Sequence, residues 1–256
     1  MRSSRGRNIT YGLVESLGQS IVGGRYQVDH PFSTEAELSK QYGASRSVTR
    51  EAVKMLTTKG LLTARPRQGT CVQPETAWNL FDPDVLRWLL ERKFSPKLLR
   101  EFTEVRLAIE PTAAAMAARH ADREGLAAIQ ASLERMRAAE RGDDEPLTAD
   151  IAFHVSILKA TRNPFYVQLD ELVNTALRIS IRFTNSRKGV RQASVPGHER
   201  VVDAIMARDS VGAATAMNAL LVEVMELIEQ AQLAEITVQA MHGAGTALET
   251  EPVANL

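Results

Sequence analysis

The feature that most constrains the fold is the stretch from residue 97 to about 235, where every segment has a helical pattern and none alternates like a strand. Aromatic residues make up only 5% of the chain, which also favours helices. Short breaks divide the stretch into about six helices, so we expect an antiparallel bundle able to host a central cavity. The breaks are HADREG (120–125), RGDDEPL (141–147), RNP (162–164), SVPG (194–197) and ARDS (207–210).

The residues before this stretch have a different organisation. A helical period over 10–26 ends at Gly23-Gly24, and a shorter helix follows at 33–43. A third helix begins in ASRSVTREAVKMLTTKGLL, with Ser45 as a plausible N-cap and Gly60 closing it. Two short helices joined by a Gly-containing turn predict a helix-turn-helix.

The third helix is predicted to present a polar face to DNA. Its first two turns carry Arg46, Ser47, Thr49 and Arg50, and in a helix-turn-helix such residues lie nearest the base edges and phosphates. LLTARPRQGTCVQP then predicts a hairpin wing carrying Arg65 and Arg67. The alternative is a solvated basic helix followed by an unrelated hairpin.

Charge is distributed unevenly, although the net charge is zero. Residues 1–74 hold 11 Lys and Arg against 5 Asp and Glu, whereas the remainder holds 20 against 26. A basic module on an acidic body predicts a polyanionic partner for the first part only.

The amino-terminal motifs resemble the winged helix of the GntR transcription regulators. The likeness rests on TEAELSKQYGASRSVTREAVKMLTTKGLLTARPRQGTCV, with its E-x-E-L helix, its SR-x-x-R-E-A recognition helix and its wing glycine. The resemblance implies that Arg46 and Arg50 are the leading operator contacts, with Ser45 and Thr49 beside them and Gly69 at the wing tip. Many relatives have an arginine where this chain has Ala36, so recognition is expected to rest more on the other contacts.

A linker is predicted between the two parts. Residues 75–96 include a helix that starts after Asp82-Pro83 and carries Leu and Trp side chains. Trp78 and Trp88 are expected to attach this helix to a neighbouring surface, the alternative being ring stacking on a ligand. The predicted limits are 1–74 for the DNA-binding domain, 75–96 for the linker helix, 97–235 for the helical ligand-binding domain and 236–256 for a disordered tail.

Asp150 and His154 lie four residues apart in TADIAFHVSI, which places them on one helix face. His198, at the start of a later helix, could add a third ligand. Two histidines and a carboxylate suit zinc, nickel, iron or manganese and leave positions for water or substrate. On spacing alone, an exposed Asp–His contact is the commoner explanation.

The carboxyl-terminal motifs resemble the helical ligand-binding domain of the FadR/FCD branch of the same family. They are EFTEVRLAIEPTAAAMAA, D-x-x-F-H, RNPF and GHERVVDAI, within residues 95–232. The resemblance implies a divalent metal held by one aspartate and three histidines, of which Asp150, His154 and His198 match the first three. AMNALL places Leu220 where the fourth belongs. We therefore expect a three-ligand ion with open positions for an effector, the alternative being direct hydrogen bonding of the effector.

Several polar residues are candidates for effector binding. The resemblance implies that Arg106 faces an effector carboxylate, for which a planar bidentate donor is suited; the alternative is a salt bridge to Glu110. Arg178 and Arg182 interrupt an apolar helix and either line the cavity or face solvent. Asn174 and Asn218 are weaker candidates of the same kind.

The predicted function is a ligand-responsive transcription regulator, expected to be a homodimeric repressor on palindromic double-stranded DNA. WNLFDPDVLRWLLE is similar to the corresponding segment of regulators of galactonate-type sugar-acid catabolism, which suggests a sugar-acid or other small carboxylate effector. The rivals are a metal sensor and a metal-assisted hydrolase; no residue is placed as a nucleophile or general base, so no enzyme is expected. One cysteine, no signal peptide and no apolar run near 18–20 residues predict a cytoplasmic protein.

Overall fold

The computed structural model describes the backbone of residues 2–92, 96–188 and 194–247. The chain divides into two compact units, Met1–Phe94 and Ser95–Leu256. The predicted fold class, mainly α with an amino-terminal winged helix-turn-helix and a carboxyl-terminal all-α bundle, is confirmed. The first unit holds α1 (Arg2–Val22), α2 (Glu35–Tyr42), α3 (Arg46–Thr58), β1 (Leu62–Arg65), β2 (Gly69–Val72) and α4 (Pro83–Arg92). The second holds α5 (Pro96–His120), α6 (Arg123–Arg141), α7 (Pro146–Ala160), α8 (Pro164–Val167), α9 (Asp170–Lys188), α10 (Val195–Met206) and α11 (Ser210–Ala247).

Local capping defines the helix-turn-helix. Thr34 and Glu37 form a reciprocal capping box that starts α2, which ends at Gly43 in the left-handed region (φ 61°). Ser45 caps α3 by accepting from the backbone N–H of Val48, as predicted. Each polar side chain satisfies a backbone donor that the helix end would otherwise leave unpaired. The turn between α2 and α3 is thereby set by local chemistry.

The predicted wing is an antiparallel hairpin of β1 and β2. Its register runs from Leu62 opposite Val72 to Arg65 opposite Gly69. Gly69 (φ 76°) and Arg67 (φ 65°) both adopt the left-handed region in the connecting turn, which glycine tolerates far better than arginine. The hairpin is therefore closed tightly at its tip.

The predicted linker helix is part of the first unit. Trp88 is 1% exposed and belongs to the same core as Leu17, and Arg87 of α4 makes a bidentate ion pair with Glu15 of α1 (2.8 and 2.7 Å). Trp78 is also buried in this core. The packing interpretation of both tryptophans is therefore correct, and the compact unit extends beyond the predicted limit at residue 74.

The second unit is the predicted bundle. Four of the five predicted breaks coincide with interruptions between helices. The fifth, 194–197, lies mostly within the first turn of α10, which begins at Val195, and one further break separates α8 from α9. Its core combines apolar residues of α5, α6, α7, α9, α10 and α11. Since α7 packs against α5, α6 and α9, one of its faces points into the bundle.

Two predictions about the last helix are wrong. The stretch Ser210–Leu233 is long and apolar enough to cross a membrane by length and hydropathy, contrary to the expectation that no run approaches this. Ala213, Met217 and Leu221 lie in the bundle core, although only 22% of the apolar window is buried. The helix also continues to Ala247, where a disordered tail was predicted from residue 236. The physical reason is that no proline, the strongest helix breaker, occurs between Pro196 and Pro252. Residues 248–256 lie outside the described range.

Candidate DNA-binding surface and metal centre

The first two turns of α3 present a polar, cationic surface. Arg46, Ser47 and Arg50 are exposed, and the guanidinium group of neither arginine makes an ion pair or hydrogen bond with any residue that the structure describes. Ser45 is exposed as well, and its hydroxyl lies 2.9 Å from that of Ser47. Unpaired guanidinium groups at the start of a recognition helix are suited to guanine edges and phosphates.

Thr49 does not belong to this surface, so the prediction that it faces DNA is wrong. Its side chain is fully buried, and its hydroxyl lies 3.1 Å from the Ser39 hydroxyl of α2 and 3.1 Å from the Arg46 carbonyl. Thr49 is three residues before Ala52, so the helical period places it on the buried side. It holds α3 against α2.

The wing contributes one free cation. Arg67 is exposed and has no partner in the described part of the chain, and Gly69 beside it is exposed. Arg65 instead forms an ion pair with Asp29. Arg65 can bind a phosphate only after it leaves Asp29. An exposed ion pair of this kind is weak, so little free energy opposes that exchange.

Asp150, His154 and His198 converge inside the bundle, as predicted. Asp150 and His154 lie one turn apart on the inward face of α7, and His198 reaches them from the first turn of α10. All three are at most 5% exposed. Their candidate ligand atoms lie within 4.8 Å of one another. The explanation of an exposed Asp–His contact is thereby excluded.

The spacing of these atoms fits a metal ion. Oδ1 of Asp150 lies 3.3 Å from Nε2 of His154 and 3.5 Å from Nε2 of His198. Ligand atoms at about 2.0–2.1 Å from a tetrahedral zinc are about 3.3–3.4 Å apart. This Oδ1 is also buried without a hydrogen-bond partner among the described residues, which is costly unless another group occupies the site.

Each histidine has an acceptor at its other ring nitrogen. Nδ1 of His198 donates to the Ser194 carbonyl at 2.8 Å, which leaves Nε2 with a free lone pair. Nδ1 of His154 lies 2.6 Å from Oε2 of Glu110, although its N–H is not aligned with that oxygen as in an ideal hydrogen bond. Outer partners at the second nitrogen are typical of histidines that bind metals.

The buried charges hold one another ionised. Burial alone would raise the pKa of Glu110, but Arg106 and His154 lower it to about 2. Burial likewise opposes ionisation of Asp150, yet His154 and His198 hold its pKa below the ordinary value. Burial lowers the pKa of His154, and the two carboxylates reverse that effect and raise it. The site therefore favours positive charge beside its two carboxylates.

A small cavity adjoins the cluster. Its volume is about 40 Å³, room for a few waters. Arg106 is buried, and its Nε donates to Oε1 of Glu110 at 2.6 Å, so the predicted salt bridge is present. Arg106 also lines the cavity. Leu220 lines it too, and its Cδ2 packs over Gly197. A larger depression of about 630 Å³ between α6 and α7 contains none of the cluster.

The other predicted effector residues do not line this cavity, and for Arg178 and Arg182 the alternative of facing solvent is correct. Arg178, Arg182 and Asn218 are exposed, and Asn174 is half-buried elsewhere. The inward face of α9 is occupied by residues such as Leu177 and Ser180, and a helix turns Arg178 and Arg182 away from that face. The lining residues missed by the sequence analysis are Ser180, Asn185, Ser194 and Glu223. Of these, Ser180 could have been found as a polar residue on a buried apolar stripe.

Comparison with known proteins agrees with both units. Residues 10–72 match the family model "Bacterial regulatory proteins, gntR family", and residues 101–223 match the FCD domain model. The chain is 32% identical over 203 residues, 79% of its length, to the galactonate operon transcriptional repressor of Escherichia coli K12, covering 89% of that protein. It is 31% identical over 217 residues, 84% of its length, to the HTH-type regulator YieP of the same organism, covering 93% of it.

A solved structure shows the same fold. It is titled as Lar, which controls the expression of the Listeria monocytogenes agr system, and it matches with a TM-score of 0.51 at 18% identity, covering 86% of this chain and 96% of the other. The two family models match the two units of the chain: the GntR model covers α3 and the wing, and the FCD model covers the buried cluster. The chain belongs to the GntR family of bacterial regulatory proteins, in the branch that carries an FCD domain, and it is a transcription regulator rather than an enzyme.

Proposed function

We propose that this regulator is a repressor of sugar-acid or other carboxylate catabolism genes, released by a small carboxylate effector at a divalent metal site. The buried cluster of Asp150, His154 and His198 beside a cavity lined by Arg106 carries the proposal. The ion would supply Lewis-acid positions for carboxylate or hydroxyl oxygens. The name of the galactonate repressor supports the effector class and the direction of regulation.

The metal fits zinc best, with nickel, iron or manganese as further candidates. Two imidazoles and one carboxylate suit these ions, and the ligand separations suit tetrahedral zinc. Leu220 offers no ligand, so at least one coordination position would remain for water or effector. Arg106 would pair with an effector carboxylate while its Nε stays on Glu110.

We further propose that the protein acts in the cytoplasm as a homodimer on a palindromic operator. A symmetric pair of α3 helices about one DNA turn apart would read matching half-sites. Arg46 and Arg50 would contact bases or phosphates, Ser45 and Ser47 phosphates, and Arg67 with the wing the flanking backbone. These contacts follow from exposure and charge on α3 and the wing.

A second candidate, the metal itself as the signal, is favoured by the cavity volume. About 40 Å³ accommodates an ion with one or two waters more readily than a six-carbon acid. An effector of sugar-acid size would require the lining helices to separate. The two candidates therefore differ in what must be added to release DNA.

One binding experiment separates them. The operator is selected from random duplex DNA, and its affinity for the purified full chain is measured with zinc, with a chelator and with a panel of sugar acids and small hydroxy acids. Release by an acid recovered unchanged, only in metal-loaded protein, supports the proposal. Release or tightening by metal alone supports the sensor, and insensitivity to every addition contradicts both.

Arg50→Ala tests the DNA-binding surface. A bidentate Arg–guanine pair contributes about 1–3 kcal/mol, so specific affinity should fall about 5- to 150-fold. Metal content and thermal stability should not change, because the Arg50 guanidinium makes no hydrogen bond or ion pair with any described residue. Arg178→Ala, an exposed arginine of the bundle, is the matched control and should leave both binding activities intact. Unchanged operator affinity in Arg50→Ala would refute the assignment.

His198→Ala tests the metal centre. Removal of one of three ligands should lower zinc content and abolish the effector response without weakening DNA binding by the metal-free protein. His120→Ala removes an exposed histidine at the end of α5 and should change neither property. Zinc content equal to wild type in His198→Ala would exclude His198 as a ligand.

A further inference from the structure

We propose that Glu110 is the positioning residue of the site: one carboxylate orients both the His154 ring toward the ion and the Arg106 guanidinium at the cavity. The inference rests on the proposed metal site and goes beyond it, because Glu110 itself binds neither ion nor effector. Glu110 is 2% exposed and lies on α5, whereas its histidine partner lies on α7.

The two oxygens of Glu110 serve different partners. Oε1 accepts from Nε of Arg106 at 2.6 Å, and Oε2 lies 2.6 Å from Nδ1 of His154. Both partners are at most 5% exposed, so no bulk water competes for the carboxylate. Since Arg106 balances its charge, Glu110 can stay ionised in the interior.

The His154 ring stands between two carboxylates. Its Nε2 faces Oδ1 of Asp150 and its Nδ1 faces Glu110. An imidazole that binds a metal through Nε2 carries its proton on Nδ1, and here Nδ1 lies 2.6 Å from a carboxylate oxygen. The contact therefore selects the tautomer with Nε2 free for the ion.

His198 shows the same arrangement with a different acceptor. Its Nδ1 donates to the Ser194 carbonyl at 2.8 Å, so both histidines present Nε2 to the shared Oδ1 of Asp150. The difference is that a carboxylate carries a full charge, which makes it a stronger acceptor for an Nδ1 proton than a carbonyl is. It also joins the His154 ring to Arg106 through its second oxygen.

Glu110→Gln is the direct test, because the amide keeps the shape and removes the charge. Zinc affinity of the full chain, measured by competition with a chromophoric chelator, should fall about 10- to 100-fold, as for other outer-shell partners of metal-bound histidines. Glu104→Gln is the matched control: it removes the same kind of i, i+4 ion pair, to Arg100, from the exposed side of α5. That control should bind zinc like wild type.

A purely structural role for Glu110 gives a different result. Thermal unfolding of the metal-free proteins would then show a loss of stability in Glu110→Gln, while zinc affinity of the folded variant stayed within about twofold of wild type. That result would overturn the proposal. Because unpaired Arg106 could prevent folding, Arg106→Gln with Glu110→Gln provides a second, charge-neutral variant, which should fold and still lose zinc affinity.

The wild-type protein offers an independent measurement. Nitrogen-15 spectra of the histidine rings in the zinc-loaded chain should show His154 protonated at Nδ1, with the His154→Ala variant used for assignment. A proton on Nε2 would overturn the role of Glu110 while leaving the metal site intact. A wild-type protein that binds no zinc would instead overturn the proposed function, and this inference with it.

Discussion

Thr49→Val should destabilise the winged helix without weakening its hold on DNA. The substitution replaces a hydroxyl with a methyl group of similar size at a position that is 0% exposed. The hydroxyl lies 3.1 Å from Ser39 Oγ and donates to a backbone carbonyl, that of Arg46 at 3.1 Å being the nearer and that of Glu35 lying at 3.3 Å. A single proton serves only one acceptor at a time.

The loss should be about 1 kcal/mol in the free energy of unfolding. A net hydrogen bond contributes about 0.5–1.5 kcal/mol. The carbonyl of Arg46 also lies within α3 and the carbonyl of Glu35 within α2, so both keep helical partners and the larger cost of an orphaned group does not arise. For a unit of this size, about 1 kcal/mol corresponds to a fall in Tm of about 4–8 °C.

Thermal denaturation followed by circular dichroism measures the stability of the protein. Fluorescence anisotropy with the selected operator, recorded below Tm, measures the affinity for DNA. Ser47→Ala is the matched control, since it removes an exposed hydroxyl two residues earlier on the DNA-facing side. It should leave Tm unchanged and weaken operator binding. If Thr49→Val kept its Tm and lost tenfold in operator affinity, Thr49 would contact DNA and its placement in the α2–α3 interface would be refuted.

Three further predictions follow from close contacts and from the site. Gly18→Ala places a Cβ 2.3 Å from the Trp88 ring and should lower the free energy of unfolding, measured by chemical denaturation, by about 1–3 kcal/mol. Gly12→Ala is the control, because its Cβ would have no neighbour within 4 Å, and it should be neutral or stabilising. Equal effects of the two substitutions would contradict the packing of α4 on α1. Leu220→His should restore a fourth ligand, tighten zinc measured by chelator competition and blunt the effector response; unchanged zinc affinity would show that position 220 does not reach the ion. Zinc at about one hundred times its Kd should stabilise the protein by about 2.7 kcal/mol, a gain that a chelator removes and that His198→Ala lacks; a gain retained in that variant would place the zinc elsewhere.

Much of the fold could be predicted because it depends on interactions between residues that are close together in sequence. Ser45 caps α3, Gly43 ends α2, and four of the predicted breaks separate helices of the bundle; each of these features involves residues that are close together in sequence. Asp150 and His154 share a helix face for the same local reason. Such features depend on backbone donors, helical period and glycine conformation, all readable from neighbouring residues.

The candidate site was only partly predictable. Asp150, His154 and His198 do meet, but Arg178 and Arg182 turned out to face solvent, because the orientation of α9 depends on which of its faces packs best. An interrupted apolar pattern leaves that choice open. The cavity volume was equally inaccessible from sequence, since it depends on side chains from several helices.

By itself, the sequence determined the element order, the capped recognition helix with Arg46 and Arg50, and the residue types able to hold a metal. Only the tertiary structure decided that Thr49 joins two helices, that Trp88 packs α4 onto α1, and that Glu110 stands between Arg106 and His154. The physical reason is the separation in sequence between the interacting groups. Caps and turns are satisfied within one or two helical turns, whereas a buried carboxylate is stabilised by whichever charges the packing of distant helices brings within about 3 Å.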